Sequence, residues 1–290
     1  MIMKNPWKRH EGYFSGYNGH KLFYQEWAQP KPKGLFVITH GHGEHSECYH
    51  RLVDGLYESG WNCISWDWRG HGRSEGKRGY AGHFSHYVWD YQKFLELLSK
   101  QEGYKDVPWI TLSHSMGGLI QTHELMENKL NLPIKAQVLS APLFGLRVEV
   151  PLVKDIAALT AFHVYPKLTL WNELKPEQFS RDPAILDEYS KDPLRHDRLS
   201  PGVYIGFLQA FEFIHKHAPD LKLPTLMQLG GLDTVVSNVA AEQFFDALGS
   251  PLKTKHVYHD SLHEIYNDLD RQNCFNDILN FIQPFSVEPT

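Results

Sequence analysis

The stretch TLSHSMGG (111–118) decides how the rest of the chain is read. VPWITLS (107–113) is a short apolar run of strand character, and the apolar spacing from Met116 to about Glu127 predicts a helix, so Ser115 falls on the turn between them. A serine forced into such a turn projects its hydroxyl above the sheet, and the residues two away on each side must be small for strand and helix to approach. Gly117 meets that need. Ser113 stands where the G-x-S-x-G pattern has its first glycine; its side chain is still small, and it is expected to tighten the turn or to add a hydrogen bond beside Ser115.

Outward from this turn the chain alternates. GLFVITH (34–40) and WNCISWDW (61–68) read as buried strands closed by glycine turns, with a helix expected over 49–59 and Gly60 placed to stop it. A helix over about 87–100 precedes the central strand, and AQVLSAP (136–142) is the next strand after the central helix. The rhythm breaks over 143–220, a Pro- and aromatic-rich segment with amphipathic pieces but no clear strand. It resumes with the strand PTLMQLGG (224–231), a helix over 239–248, the strand KTKHVYHD (253–260) and a terminal helix near 267–282. Such alternation means an α/β fold with a mostly parallel sheet built from right-handed crossovers. The expected division is a core in two parts, 1–142 and 221–290, with a helical cap inserted at 143–220.

The bulk properties narrow the class. The chain has 290 residues, 42% of them hydrophobic, and a net charge of −5, which suits one substantial core and argues against nucleic acid as a partner. Cys48, Cys63 and Cys274 are odd in number and far apart, so they form neither a disulfide framework nor a zinc ribbon, and a reducing compartment is the natural setting. The start MIMKNPWKRHEGYF lacks a signal-peptide apolar run, and no segment offers the roughly 18 apolar residues of a membrane span. A soluble, cytoplasmic protein is expected, with peripheral contact to a membrane surface left open. No internal repeat is present.

VITHGHGEHS (37–46) admits two readings. His40, His42, Glu44 and His45 follow the order H-x-H-x-E-H, close to the H-x-H-x-D-H run of dinuclear metallo-β-lactamases. The same letters fit a strand ending in His-Gly, with backbone N–H groups doing the chemistry. The metal reading needs further ligands after downstream strands and an aspartate where Glu44 stands, and it leaves the serine turn unexplained.

Seven segments together carry a resemblance: EGYFSGYNGHKLFYQEW (11–27), HGHGEHS (40–46), WDWRGHGRSEGKRGY (66–80), SHSMGG (113–118), DPL (192–194), GGLDTVV (230–236) and LHEIYND (262–268). In this order, over almost the whole chain, they resemble the α/β-hydrolase fold and within it the monoacylglycerol lipase and lysophospholipase branch, grouped with serine aminopeptidase-like hydrolases. The resemblance implies a mostly parallel central sheet flanked by helices, with the cap inserted after the sixth core strand.

It also implies a site. A serine needs a base, and the base an acid, in the chain order Ser, acid, His. Ser115 is then the nucleophile, Asp233 after the strand PTLMQLGG the acid, and His263 after the strand KTKHVYHD the base, all at carboxyl ends of strands. Asp260 competes with Asp233; His256 and His259 compete with His263, which alone of the three matches the H-E-x-x-N pattern. The oxyanion hole is expected from the backbone N–H groups of His42 and Met116. Glu44, His45 and the RGHG segment are read as polar groups bracing loops.

Leu143, Phe144, Leu146, Val150, Leu152, Val153, Ile156, Leu159, Phe162, Leu168, Leu170 and Trp171 give the cap more apolar surface than a connecting loop needs, as a lid over an acyl chain would have. The resemblance implies hydrolysis of a lipid carboxylic ester, monoacylglycerol or lysophospholipid, without metal or organic cofactor. Two alternatives stay open. A peptidase of the same fold would bind a free amino terminus through cap carboxylates such as Glu173, Glu177 or Glu212, and a non-catalytic binding protein would keep the fold. Oligomeric state is not legible.

Overall fold

The computed structural model describes residues 4–127, 130–147 and 152–286. Val150 and the Leu152 side chain, counted above toward the cap, lie outside what is described.

The strands are β1 (Lys8–Ser15), β2 (Lys21–Ala28), β3 (Leu35–Thr39), β4 (Asn62–Trp66), β5 (Trp109–His114), β6 (Ile134–Ser140), β7 (Leu170–Trp171), β8 (Arg198–Leu199), β9 (Thr225–Gly230) and β10 (Lys253–Tyr258). Eight of them form one sheet in the order β1-β2-β4-β3-β5-β6-β9-β10. From β4 to β10 every pairing is parallel, whereas β2 runs antiparallel to both β1 and β4. The fold is that of an α/β-hydrolase.

The helices are α1 (His50–Gly55), α2 (Ser85–Ser99), α3 (Met116–Glu127), α4 (Leu152–Val164), α5 (Pro183–Lys191), α6 (Pro201–His217), α7 (Asn238–Ala247) and α8 (Arg271–Ile282). Both sheet faces are covered, which is why β3 is buried throughout rather than on alternate residues. Leu35 and Val37 join a core with Tyr91, Phe94, Leu119, Phe207 and Phe244 from α2, α3, α6 and α7. Phe36 and Ile38 point the other way, into a core with Leu52, Val53, Phe275 and Ile278 from α1 and α8.

Several elements differ from the sequence expectation. The 49–59 helix is broken: 3₁₀ turns at Ser46–Tyr49 and Tyr57–Ser59 flank the six-residue α1, and Gly60 ends the run at φ 73°. The terminal helix starts at Arg271, leaving 262–268 as a loop. The segment 143–220, read as strandless, contains the two-residue antiparallel pair β7–β8. The β1–β2 hairpin has no apolar run to announce it, because β1 is almost entirely exposed.

The helical insertion follows β6, the sixth strand in chain order. Its last helix, α6, packs on the core: Val203, Phe207, Ala210 and Ile214 are buried with the helices of one sheet face. At Gly206 a Cβ would lie 2.3 Å from the Phe84 Cβ, so only glycine lets α6 come this close.

Candidate active site

Ser115 stands between β5 and α3 at φ 50°, a left-handed conformation that costs a non-glycine residue about 1–3 kcal/mol. Its surroundings hold it there: Ser115 N–H donates to Ser140 O (3.0 Å), and Ser115 O accepts from Gly118 N (2.9 Å) and Leu143 N (2.9 Å). Gly117 is required by close approach, since a Cβ would meet His40 O at 2.2 Å and Thr39 O at 2.6 Å. The hydrogen bond expected of Ser113 is absent; its hydroxyl is buried on β5 without a partner among the described residues.

His263 and Asp233 converge on Ser115. His263 Nε2 is 3.0 Å from Ser115 Oγ and Nδ1 is 2.7 Å from Asp233 Oδ2. Asp233 is fully buried, and its Oδ1 accepts from Val235 N (2.7 Å) and Val236 N (3.1 Å). Burial pushes its carboxyl up, but the His263 ring and the two N–H groups outweigh that and hold it below the usual carboxylate range. With Asp233 ionised, His263 Nδ1–H donates to it and Nε2 is free to accept the serine proton. The rivals lie elsewhere: Asp260 and His259 are exposed, and His256 faces Asp277 at 3.6 Å.

His42 and Met116 border the same space. With Ser115 they line a cavity of about 580 Å³ whose other walls include Leu143, Leu146, Ala161, Leu174, Tyr204 and Val236. Their backbone N–H groups donate to no protein acceptor among the described residues, and Met116 opens α3, where the helix dipole favours an anion.

The loop carrying His42 is held by buried polar groups. Glu44 Oε2 accepts from Gly41 N (2.7 Å) and from the Tyr49 hydroxyl (2.8 Å), while Oε1 accepts from Arg195 Nη2 (3.2 Å). Arg195, arriving from the chain after α5, also donates to Glu264 Oε1 (3.0 Å), the residue following His263. Burial and the facing Glu44 push the Glu264 carboxyl well up; Glu44 is held low, against burial, by His114 and Arg195. Both carboxyls thus face the single guanidinium of Arg195.

His40 does not face His42 or Glu44 as a ligand set would. Its Nδ1 bonds Gly41 O (2.7 Å), its Nε2 accepts from Trp68 N (3.3 Å), and its ring stacks on Trp68 at 4.3 Å. The His42 ring sits edge-on to His71 and His196, each at 5.4 Å. Burial lowers His40 and His42 to about 4, and His196 to about 2, so this wall is uncharged near neutral pH.

Sequence reasoning missed Arg195, Glu264, His196 and His114, whose ring lies 4.7 Å from that of His263. DPL (192–194) was the nearest signal to Arg195 and His196, and SHSMGG and LHEIYND contain His114 and Glu264, but only the three-dimensional contacts assign them work.

The sequence model of the family described as "Serine aminopeptidase, S33" (Hydrolase_4) matches residues 30–270. The chain is 27% identical over 278 residues to a monoacylglycerol lipase of Mycolicibacterium smegmatis, covering 94% of this chain and 97% of that protein. It is 29% identical to an uncharacterized abhydrolase domain-containing protein of Dictyostelium discoideum, with 88% of this chain covered but only 27% of that protein's length. Among solved structures, the monoacylglycerol lipase of Paleococcus ferrophilus superposes with a TM-score of 0.81 at 27% identity, covering 91% of this chain and 99% of that one.

Proposed function

The chain belongs to the serine aminopeptidase S33 family of α/β-hydrolases, and from that premise we propose that it hydrolyses carboxylic esters of lipids, monoacylglycerol or lysophospholipid, through an acyl-enzyme on Ser115. The observation carrying this reading is the hydrogen-bonded chain Asp233–His263–Ser115 opening into one large apolar cavity.

In the proposed reaction the Ser115 hydroxyl attacks the ester carbonyl while His263 Nε2 takes its proton. The negative charge arising on the carbonyl oxygen is met by the N–H groups of His42 and Met116; one such donor typically lowers the barrier by roughly 2.7–4 kcal/mol. His263 passes the proton to the leaving alcohol, then activates water to release the fatty acid. The buried, ionised Asp233 stabilises the imidazolium of each step. No step needs a metal or organic cofactor.

The apolar walls suit an acyl chain, and we take 143–220 as the cap over it, with 1–142 and 221–290 as the two parts of the core. Val153, Ile156, Leu159, Val164, Tyr165 and Trp171 are each more than half exposed, which suits transient contact with a lipid surface by a peripheral, cytoplasmic protein. No helix among the described residues is long and apolar enough to cross a membrane.

One observation favours the peptidase alternative: of the three cap carboxylates considered, Glu173 lines the cavity, whereas Glu177 and Glu212 face solvent. A panel of p-nitrophenyl esters of rising chain length, monoacylglycerol, lysophosphatidylcholine and aminoacyl-nitroanilides separates the readings. Turnover of long-chain lipid esters supports the proposal; turnover of the nitroanilides alone defeats it.

A further inference from the structure

His45, Cys48 and Asp192 meet where the loop behind the nucleophile touches the cap. His45 caps the start of the 3₁₀ segment Ser46–Tyr49 and Cys48 lies within it, with Cys48 N bonded to His45 O (3.1 Å), and Asp192 caps the end of α5. One donor atom from each, a ring nitrogen, Sγ and a carboxylate oxygen, lies within 4.8 Å of the other two. We propose that these residues form a binding site for a thiophilic divalent cation such as Zn²⁺, and that its occupation ties the cap to the His40–Ser46 loop and slows turnover.

Imidazole, thiolate and carboxylate are the three ligand types zinc takes. Bond lengths of about 2.0–2.3 Å in a tetrahedron put ligand atoms roughly 3.3–3.8 Å apart, so small side-chain rotations close the site. The tightest pair, His45 Nε2 to Asp192 Oδ2 at 2.7 Å, is now joined by a proton, and the cation takes that proton's place. Asp192 is aimed by its other oxygen, which accepts from Leu194 N at 2.9 Å. His45 is buried, while Cys48 and Asp192 are partly exposed, so an ion reaches the site from solvent and water completes the tetrahedron.

Positive charge works against binding, the His45 proton that a cation must displace included. Arg195, three residues beyond Asp192, lies near Cys48 and Glu44, and it keeps the site weaker than a structural zinc centre. The same proximity supplies the link to function. His45 adjoins Glu44, which holds Gly41 N–H, and Asp192 shares its turn with Arg195, which holds Glu44; a cation fixing His45 to Asp192 therefore fixes the loop that bears His42. This inhibitory consequence rests on the hydrolase reading above, whereas cation binding does not.

The test begins with titration of the full chain with Zn²⁺ by calorimetry and with Co²⁺ by absorbance, where thiolate ligation gives a near-ultraviolet charge-transfer band. One ion per chain is expected, with the band lost in Cys48→Ser and affinity reduced at least about tenfold in Asp192→Asn, the lower bound for even an outer-shell partner. Cys63 and Cys274 are buried and join no such ligand group among the described residues, so a band surviving in Cys48→Ser, or equal affinity in both variants, overturns the site. Thermal melts of the metal-free variants establish that each is folded. Zinc should inhibit long-chain ester hydrolysis by wild type and not by Cys48→Ser; stoichiometric binding without inhibition overturns the coupling to turnover, and a chain that binds zinc but cleaves no ester fails the hydrolase reading instead.

Discussion

Glu44 takes the Gly41 N–H at 2.7 Å, one residue before the proposed oxyanion donor, while Arg195 grips the same carboxylate from the chain after α5. The loop's geometry therefore depends on a charge that Gly41, Tyr49 and Arg195 all address. Glu44→Gln keeps the volume but presents an NH₂ to one of three donors. The expected result is a loss of about 1–3 kcal/mol of stability and a kcat reduced roughly tenfold or more, with KM for a soluble ester little changed. Urea unfolding and initial rates check this; an unchanged kcat would remove Glu44 from loop positioning.

Ser115→Ala should abolish labelling by a fluorophosphonate, and Asp233→Asn should lower kcat by about 10⁴ through loss of the correct His263 tautomer. Intact-mass spectrometry after labelling reads the first and ester hydrolysis the second. An intact wild-type protein that never labels at Ser115 would instead favour the binding-protein alternative.

His40 and His114 are both buried and lowered from 6.5 to about 4, burial being the main cause. Between those limits the unfolded chain binds protons that the folded chain refuses, so stability falls as pH drops from about 6.5 toward 4 and is fully present only above that window. Each group accounts for about 3 kcal/mol at the acid end. Urea midpoints at pH 7.5, 5.5 and 4.5 should fall in that order; a flat profile would mean these rings are protonated in the fold.

Ser113 buries a hydroxyl with no partner among the described residues. Ser113→Ala removes the desolvated group without opening much space, and should raise stability by about 1 kcal/mol with kcat within twofold of wild type. A lower melting temperature would indicate a hydrogen bond made in solution.

Ile156 and Leu159 are 57% and 51% exposed on α4. Replacing both with Asp should weaken sedimentation with lipid vesicles while leaving hydrolysis of a dispersed short-chain p-nitrophenyl ester unaltered. Equal vesicle binding by the variant would move any membrane contact off this face.

How much was legible follows from where the information lies. β3, β4, β5 and β9 are buried on both faces, so each stands out as an apolar run, and α3 follows from its spacing after Ser115. Ser115 and Asp233 could be named as candidates because each follows such a strand, and His263 because it follows the half-buried β10 in the family's order. The β1–β2 hairpin escaped because a polar edge strand has no pattern to detect, and the 49–59 helix was overextended because spacing does not register a 3₁₀ break. Arg195 and Glu264 escaped for another reason. Glu44 meets partners 151 and 220 positions away, and nothing local in any of the three segments announces the pairing.

The cavity is bounded by two helices of opposite temperament. Tyr204 and Phe207 come from α6, and Phe207 is at once cavity wall and part of the core built on α3, so enlarging or shrinking that wall taxes the whole molecule. Ala157, Ala158 and Ala161 come from α4, where small side chains face the cavity and the helix's other flank looks to solvent. For the proposed acyl-chain substrate, chain-length preference should be adjustable on α4 almost independently of foldability, by substitutions as modest as Ala161→Val. For protein engineering, and for divergence among relatives, α4 is the dial and α6 the frame.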